Sequence, residues 1–308
     1  MAKIPVGATI AQAYRFAFGD FLKILGVMWP SMLLMWLPSL LMRKQMTALS
    51  AQMAAQDYSS LRQLWPLIFL FYLVALVLII VQVIGIAQVA LGRHKGPVWF
   101  YFELGKPVWR LIGSFLLLIL AFIAGWIATL LGAFILGFVL ALITKALNIA
   151  AIAIGISVLV VIALFCAFVY CWVRLTFLLI PVVAAQEEGL ALGRSWTLGL
   201  GNFWRMFAVF LATVGPFIIL EIVFVFGFMF KGITFPPPHA TADQVAAYQA
   251  AINARSADMM NAIYSHWYIA YPLALVFVVV FYGLAVGAQC FAYRALTEGE
   301  ASAPVAAN

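Results

Sequence analysis

Six runs of predominantly apolar residues dominate this sequence, at 22–42, 64–91, 111–143, 149–173, 204–230 and 268–293. A bilayer core about 30 Å thick takes about 20 residues of α-helix to cross, and inside it every backbone N–H and C=O must be bonded within the segment or to a neighbour. Runs of this length restrict the chain to an all-α fold: a polytopic transmembrane helical bundle of about six spans. Composition agrees, since 67% of the 308 residues are apolar and 9% charged, where a surface facing water takes about 25% charged residues. Most of this surface is built to meet lipid.

The net charge of +7 is spread along the chain with no dense Lys/Arg block, so it reads as topology information and nucleic acid is excluded as a partner. Eleven basic residues fall on the side of the N-terminus (Lys3, Arg15, Lys23, Arg93, Lys95, Lys106, Arg110, Arg174, Arg194, Arg205, Arg294) and six on the other (Arg43, Lys44, Arg62, Lys145, Lys231, Arg255). Basic residues favour the cytoplasm, which predicts both termini inside and a multi-pass protein of the inner (plasma) membrane. The first run is long, contains two prolines and lacks a small-residue cleavage site, so it is expected to be an uncleaved span. Cys166, Cys171 and Cys290 all lie in apolar runs and form no CxxC or Cys/His set. They are expected to fill space rather than pair or bind metal.

The chain also repeats itself three times. Gly19-Asp20-Phe21-Leu22-Lys23 matches Gly201-Asn202-Phe203-Trp204-Arg205, and Lys106-Pro107-Val108-Trp109-Arg110 is a looser copy, each just before an odd-numbered span. Asp20 and Asn202 are expected to cap helix starts, with the following basic residue reaching the headgroups. Even-numbered spans end alike, Ala87-Gln88 running on to Arg93 and Ala288-Gln289 to Arg294, while Arg174 closes the fourth. Trp65-Pro66-Leu67 and Tyr271-Pro272-Leu273 open the second and sixth, with Pro expected in the first turn. The pattern predicts a single transmembrane domain over 1–308, made of three hairpin repeats at roughly 8–95, 96–175 and 186–296, with a flexible tail over 297–308. Amphipathic segments at Ile10, Tyr14, Ala17 and Phe21, at Met46, Leu49 and Met53, and along Val245, Tyr248, Ile252, Met259 and Ile263 are expected to lie at the membrane surface.

One stretch carries a resemblance. It reads Arg174-Leu175-Thr176, Pro181, Glu187-Glu188-Gly189, Ala191-Leu192, Arg194-Ser195-Trp196 and Gly201-Asn202-Phe203-Trp204-Arg205, with Ala11-Gln12-Ala13-Tyr14-Arg15 and Ala292-Tyr293-Arg294-Ala295-Leu296 at the two ends. This resembles the bacterial glycerophosphodiester phosphodiesterase membrane-domain family and the related six-span, YciC-like inner-membrane proteins. The resemblance implies a helical-bundle membrane domain in a bacterial inner membrane and no chemistry of its own. The phosphodiesterase activity belongs to a separate soluble domain that needs His and carboxylate clusters. His94, His239 and His266 stand near no carboxylate set with ligand spacing, so that activity is not expected here.

Glu221 is the candidate intramembrane functional residue. It sits in Ile218-Ile219-Leu220-Glu221-Ile222-Val223-Phe224, and a carboxylate at bilayer depth costs on the order of 3 kcal/mol on insertion scales, so it must be protonated, paired or hydrated. Gln82, Gln88 and Gln289 read as interhelical hydrogen bonders; Arg93, Arg174, Arg205 and Arg294 read as structural or interfacial. Glu187-Glu188 reads as complementing a helix dipole. Ala121, Gly125, Thr129, Ala133 and Gly137, and Ala151, Gly155, Ala163 and Ala167, recur every four residues apart from Leu159, which predicts tight contact of the third and fourth spans. Pro30 and Pro38 predict kinks in the first. No nucleophile–base pair, metal cluster or cofactor motif is visible. The expected function is that of a non-catalytic scaffold or envelope-maintenance component, whose partners are the lipid bilayer and another membrane protein or itself. The alternative is a small-solute or lipid transporter with a cavity near Glu221.

Overall fold

The computed structural model describes residues 2–41, 59–94, 96, 99–147, 150–230, 235–237 and 239–301. The segment of Met46, Leu49 and Met53, along with Arg43, Lys44, Lys95, Asn148, Lys231 and 302–308 of the tail, lies outside them. Ten helices form among the described residues: α1 (Val6–Gly19), α2 (Phe21–Leu41), α3 (Ser59–Ala90), α4 (Lys106–Leu147), α5 (Ala150–Thr176), α6 (Leu179–Ala184), α7 (Ala191–Leu198), α8 (Phe203–Met229), α9 (Ala242–Ser265) and α10 (Trp267–Ala301). Six of them, α2, α3, α4, α5, α8 and α10, are long and apolar enough to cross a membrane. The fold is an all-α bundle of six long apolar helices, as the run lengths require.

The helices outrun the apolar runs. α4 has 42 residues, about 63 Å at 1.5 Å per residue, and it begins at Lys106, so the third lead-in is its first turns. α3 and α10 begin several residues before Pro66 and Pro272, which fall inside them. Pro30 and Pro38 lie within one continuous helix.

Packing is concentrated at one end. Buried apolar residues occupy the N-terminal parts of α2 (Ile24, Val27, Met28), α4 (Val108, Leu111) and α8 (Met206, Val209), and the C-terminal parts of α3 (Ile84, Ile86) and α10 (Leu284, Ala288). Because the spans alternate in direction, all these positions fall at the same end of the bundle. α1 seals that end. Thr9, Ala13, Phe16 and Ala17 are buried, and Tyr14 Oη donates to the Ala212 carbonyl of α8 at 3.2 Å, so α1 is part of the core rather than a helix resting on a surface. Close approach there depends on glycine. A Cβ on Gly85 would stand 2.5 Å from Val27 and 2.7 Å from Tyr101, and one on Gly283 would stand 3.3 Å from the Ala17 backbone.

The other half of the bundle is splayed. Leu120, Ile127, Leu131 and Phe134 of α4, and Leu159, Val161 and Phe165 of α5, are exposed. A Cβ added at Gly125, Gly137 or Gly155 would meet nothing within 4 Å. The small-residue stripes therefore do not bring α4 and α5 together. Aromatic rings do: Phe122 lies 5.1 Å from Phe168 and 5.0 Å from Trp172, centroid to centroid. Rings bridge a wider gap than small side chains allow. α9 is capped by a reciprocal Thr241/Gln244 box, and along it Val245 and Ile263 are exposed while Tyr264 is buried.

Candidate functional site

Chemistry gathers at the packed end, around the loop that joins α6 to α7. Two residues of this loop take left-handed backbone, Gln186 at φ 55° and Gly189 at φ 81°, and the reversal leaves its carbonyls and carboxylate facing neighbouring elements. Arg93, just past the end of α3, donates through Nη1 to the Ala185 carbonyl. Arg110 of α4 donates through Nη2 to the Gly189 carbonyl. Glu187 accepts from Arg194 Nε of α7 at 2.6 Å on one oxygen and from Tyr293 Oη of α10 on the other. Glu187 is thus a joint between α7 and α10 rather than a partner of a helix dipole.

Arg174 behaves differently from a headgroup anchor. It is only 3% exposed. Its guanidinium carbon lies 3.6 Å from the centroid of the Trp196 ring, Nη1 donates to Tyr170 Oη at 2.7 Å, and Nη2 donates to the Trp196 carbonyl at 2.8 Å. Ser195 Oγ closes the unit by donating to the Arg174 carbonyl at 3.1 Å. A planar cation stacks on an aromatic face as well as bonding in its own plane, which a lysine cannot reproduce.

Asn202 also departs from the capping expectation. It stands at the N-cap of α8 without a side-chain cap bond. Its Oδ1 accepts from the Ile4 backbone N–H at 3.1 Å and its Nδ2 donates to the Ala2 carbonyl at 3.0 Å, while Arg205 Nη1 donates to the Ile4 carbonyl at 2.9 Å. The N-terminal segment is fastened to α8 by a side-chain amide that imitates a strand partner. Asp20 pairs with Lys23 at 2.5 Å.

Three cavities lie at this end. One of about 560 Å³ is lined by Leu91, Arg93, Glu187, Arg194, Tyr293, Arg294 and Thr297. The second, about 320 Å³, runs along Lys106, Arg110 and the 186–189 loop, and the third, about 410 Å³, lies between α1 and Arg294 with Arg15, Asp20 and Lys23 in its wall. None of them is lined by Glu221. That carboxylate is exposed, as are Ile219, Leu220, Ile222 and Val223 beside it. It lies eighteen residues beyond Phe203, about 27 Å along α8, in the splayed half.

Of the glutamines, Gln82 and Gln88 are buried, and Gln289 is half-buried. Gln82 Nε2 and Gln289 Oε1 find no partner among the described residues, nor does the buried Ser31 Oγ. Among the described residues no group of three or more His, Cys, Asp or Glu is placed to hold a metal ion. The sequence marked the arginines singly; what it did not reveal was that the 185–189 loop gathers three of them. The positive-φ Gly189 between Glu188 and Leu190 was the available signal for a tight turn there.

The fold and these contacts define a multi-span helical membrane protein with a basic, packed end. No protein-family model, curated protein or solved structure matches the chain.

Proposed function

We propose that the chain is a non-catalytic scaffold of the bacterial inner membrane, contributing to envelope maintenance by associating in the bilayer with another membrane protein or with a second copy of itself. One observation carries the reading: Glu221 faces out of the bundle from an entirely apolar, uncovered stretch of α8. A carboxylate facing lipid at that depth is costly, and a helix supplied from outside the chain relieves the cost by hydrogen bonding. Membership of the glycerophosphodiester phosphodiesterase membrane-domain family belongs to this proposal, as does a cytoplasmic location for both termini. The basic bias supports that orientation, because it places the packed end on the side of anionic lipid.

The test replaces Cys166, Cys171 and Cys290 with alanine and installs Glu221→Cys for a membrane-impermeant maleimide, or a photoreactive residue at 221, in native membranes. A scaffold gives no aqueous labelling and a photo-adduct of one discrete protein mass. Rapid maleimide labelling, or adducts with lipid alone, would overturn it.

A transporter is the second reading, and the unpartnered buried atoms Ser31 Oγ, Gln82 Nε2 and Gln289 Oε1 favour it. Polar groups left open within spans are what a hydrated path needs. In that case the path runs beside α2 and α3, and Gln82→Leu abolishes solute flux in proteoliposomes while Glu221→Leu does not.

A further inference from the structure

Arg294 lies in α10 between two cavities, half-buried, with its Nη2 3.6 Å from the position a Cβ would take on Gly92. It makes no hydrogen bond or ion pair with any described residue. The other charged groups in the wall of the larger cavity are held. Arg93 is bonded to the Ala185 carbonyl, which leaves its charge uncancelled, and both oxygens of Glu187 are engaged by Arg194 and Tyr293. Three guanidinium groups face one carboxylate, so the cleft keeps a local charge of +2, and one fork-shaped donor in it is unused. A half-buried cation without a counterion carries a desolvation cost that an anion removes.

We propose that this cleft, lined by Arg93, Arg194, Arg294, Tyr293 and Thr297, binds a phosphate group, with Arg294 as the principal ligand. Guanidinium matches phosphate by two parallel N–H bonds. The site sits where the apolar sequence of α3 ends at Ala90, the depth of lipid phosphates. A cleft of about 560 Å³ admits a phosphate with a small polar substituent. An anionic phospholipid headgroup and a soluble phosphate monoester both present this chemistry. The inference does not depend on Glu221 or on the scaffold reading.

The experiment uses the full chain in a non-ionic detergent and follows thermal unfolding in two titrations. One compares dioleoyl phosphatidylglycerol with dioleoyl phosphatidylcholine; the other compares inorganic phosphate with chloride at equal ionic strength. The wild type is expected to be stabilised by phosphatidylglycerol, by phosphate, or by both. Arg294→Gln raises the half-saturating concentration about tenfold, the loss of one charge-assisted fork, and Arg294→Lys falls between. Arg255→Gln, on α9 and outside the cleft, leaves it unchanged. A response to phosphatidylglycerol alone assigns the site to a lipid headgroup, and one that includes inorganic phosphate assigns it to soluble esters. Since Arg294 bonds to no described residue, Arg294→Gln without ligand melts with the wild type. Equal titrations for wild type and Arg294→Gln, an equal response to phosphatidylcholine, or no response to either anion would overturn the proposal.

Discussion

Arg174 and Trp196, on two helices that meet at the packed end, are bound twice: the guanidinium stacks on the indole at 3.6 Å and also donates to the Trp196 carbonyl at 2.8 Å. Trp196 thus serves as both counter-surface and acceptor for a buried cation. Removing the ring leaves the charge with only in-plane bonds and a void beside it. Trp196→Ala is expected to destabilise the protein by about 3 kcal/mol or more, within the range for large-to-small core changes plus a desolvated cation–π contact. Trp204→Ala is the comparison, because Trp204 is 75% exposed and its loss should move the melting midpoint little.

Glycines separate into two kinds, and substitution tells them apart. Gly283 meets Ile24 at 2.9 Å and the Ala17 backbone at 3.3 Å through a built Cβ. A backbone neighbour cannot swing aside, so Gly283→Ala forces α1 and α10 apart and costs about 1–3 kcal/mol. Gly125→Ala enters open space on α4, and the gain in helix propensity makes it neutral to stabilising by up to about 1 kcal/mol. Melting of the two variants in the same detergent compares them directly.

That contrast marks what could be read from the sequence. The spans were legible because crossing a bilayer sets a minimum apolar length that does not depend on neighbours. Whether a small residue faces another helix depends on which helix stands beside it. The four-residue stripes of α4 and α5 carried the right spacing and face outward, while Gly85, Gly283 and Gly287 make the close contacts. Basic residues at span ends posed the same ambiguity. A snorkelling arginine and a stacked one look alike until the chain brings Trp196 to Arg174. Asn202 was placed correctly at a helix start, but its bonding partners lie about 200 residues away in sequence, beyond any local pattern.

Asn202 gives a local test. Its amide holds both the Ile4 N–H and the Ala2 carbonyl, and Asn202→Ala leaves these backbone groups without partners. The expected cost is about 1–3 kcal/mol, confined largely to the N-terminal segment. Hydrogen exchange of a peptide covering residues 2–9 should accelerate markedly in this variant, with α4 peptides unchanged. Asn202→Asp keeps the acceptor for Ile4 and loses the donor to Ala2, and it should lie between.

Alkaline stability reports on Tyr101. Burial, and then the nearby Glu103, raise its phenol well above the ordinary value of 10.0. The unfolded chain ionises this tyrosine near its ordinary value, whereas the folded chain keeps it neutral. Its contribution is complete below about pH 10 and is lost as pH rises from there toward the folded value. Wild type should lose stability between pH 9.5 and 11 more steeply than Tyr101→Phe, on melts recorded across that interval.

Glu187 offers the most discriminating change. It accepts from Arg194 and Tyr293 and so ties the 185–189 loop and α7 to the last span. Glu187→Gln keeps the shape, removes the charge and weakens both bonds. Arg194 and Glu187 are partly exposed, at 33% and 22%, so screening limits the loss to about 1–2 kcal/mol. In a double-mutant cycle with Tyr293→Phe, the coupling should be about 1 kcal/mol if the bond is as direct as its geometry indicates. The same substitution removes the only carboxylate from the cleft of Arg93, Arg194 and Arg294. Glu187→Gln should therefore lower the melting midpoint of the ligand-free protein while tightening its response to phosphate or phosphatidylglycerol. A purely structural carboxylate would weaken both together, so opposite signs in the two measurements separate a joint in the fold from a charge that tunes the site.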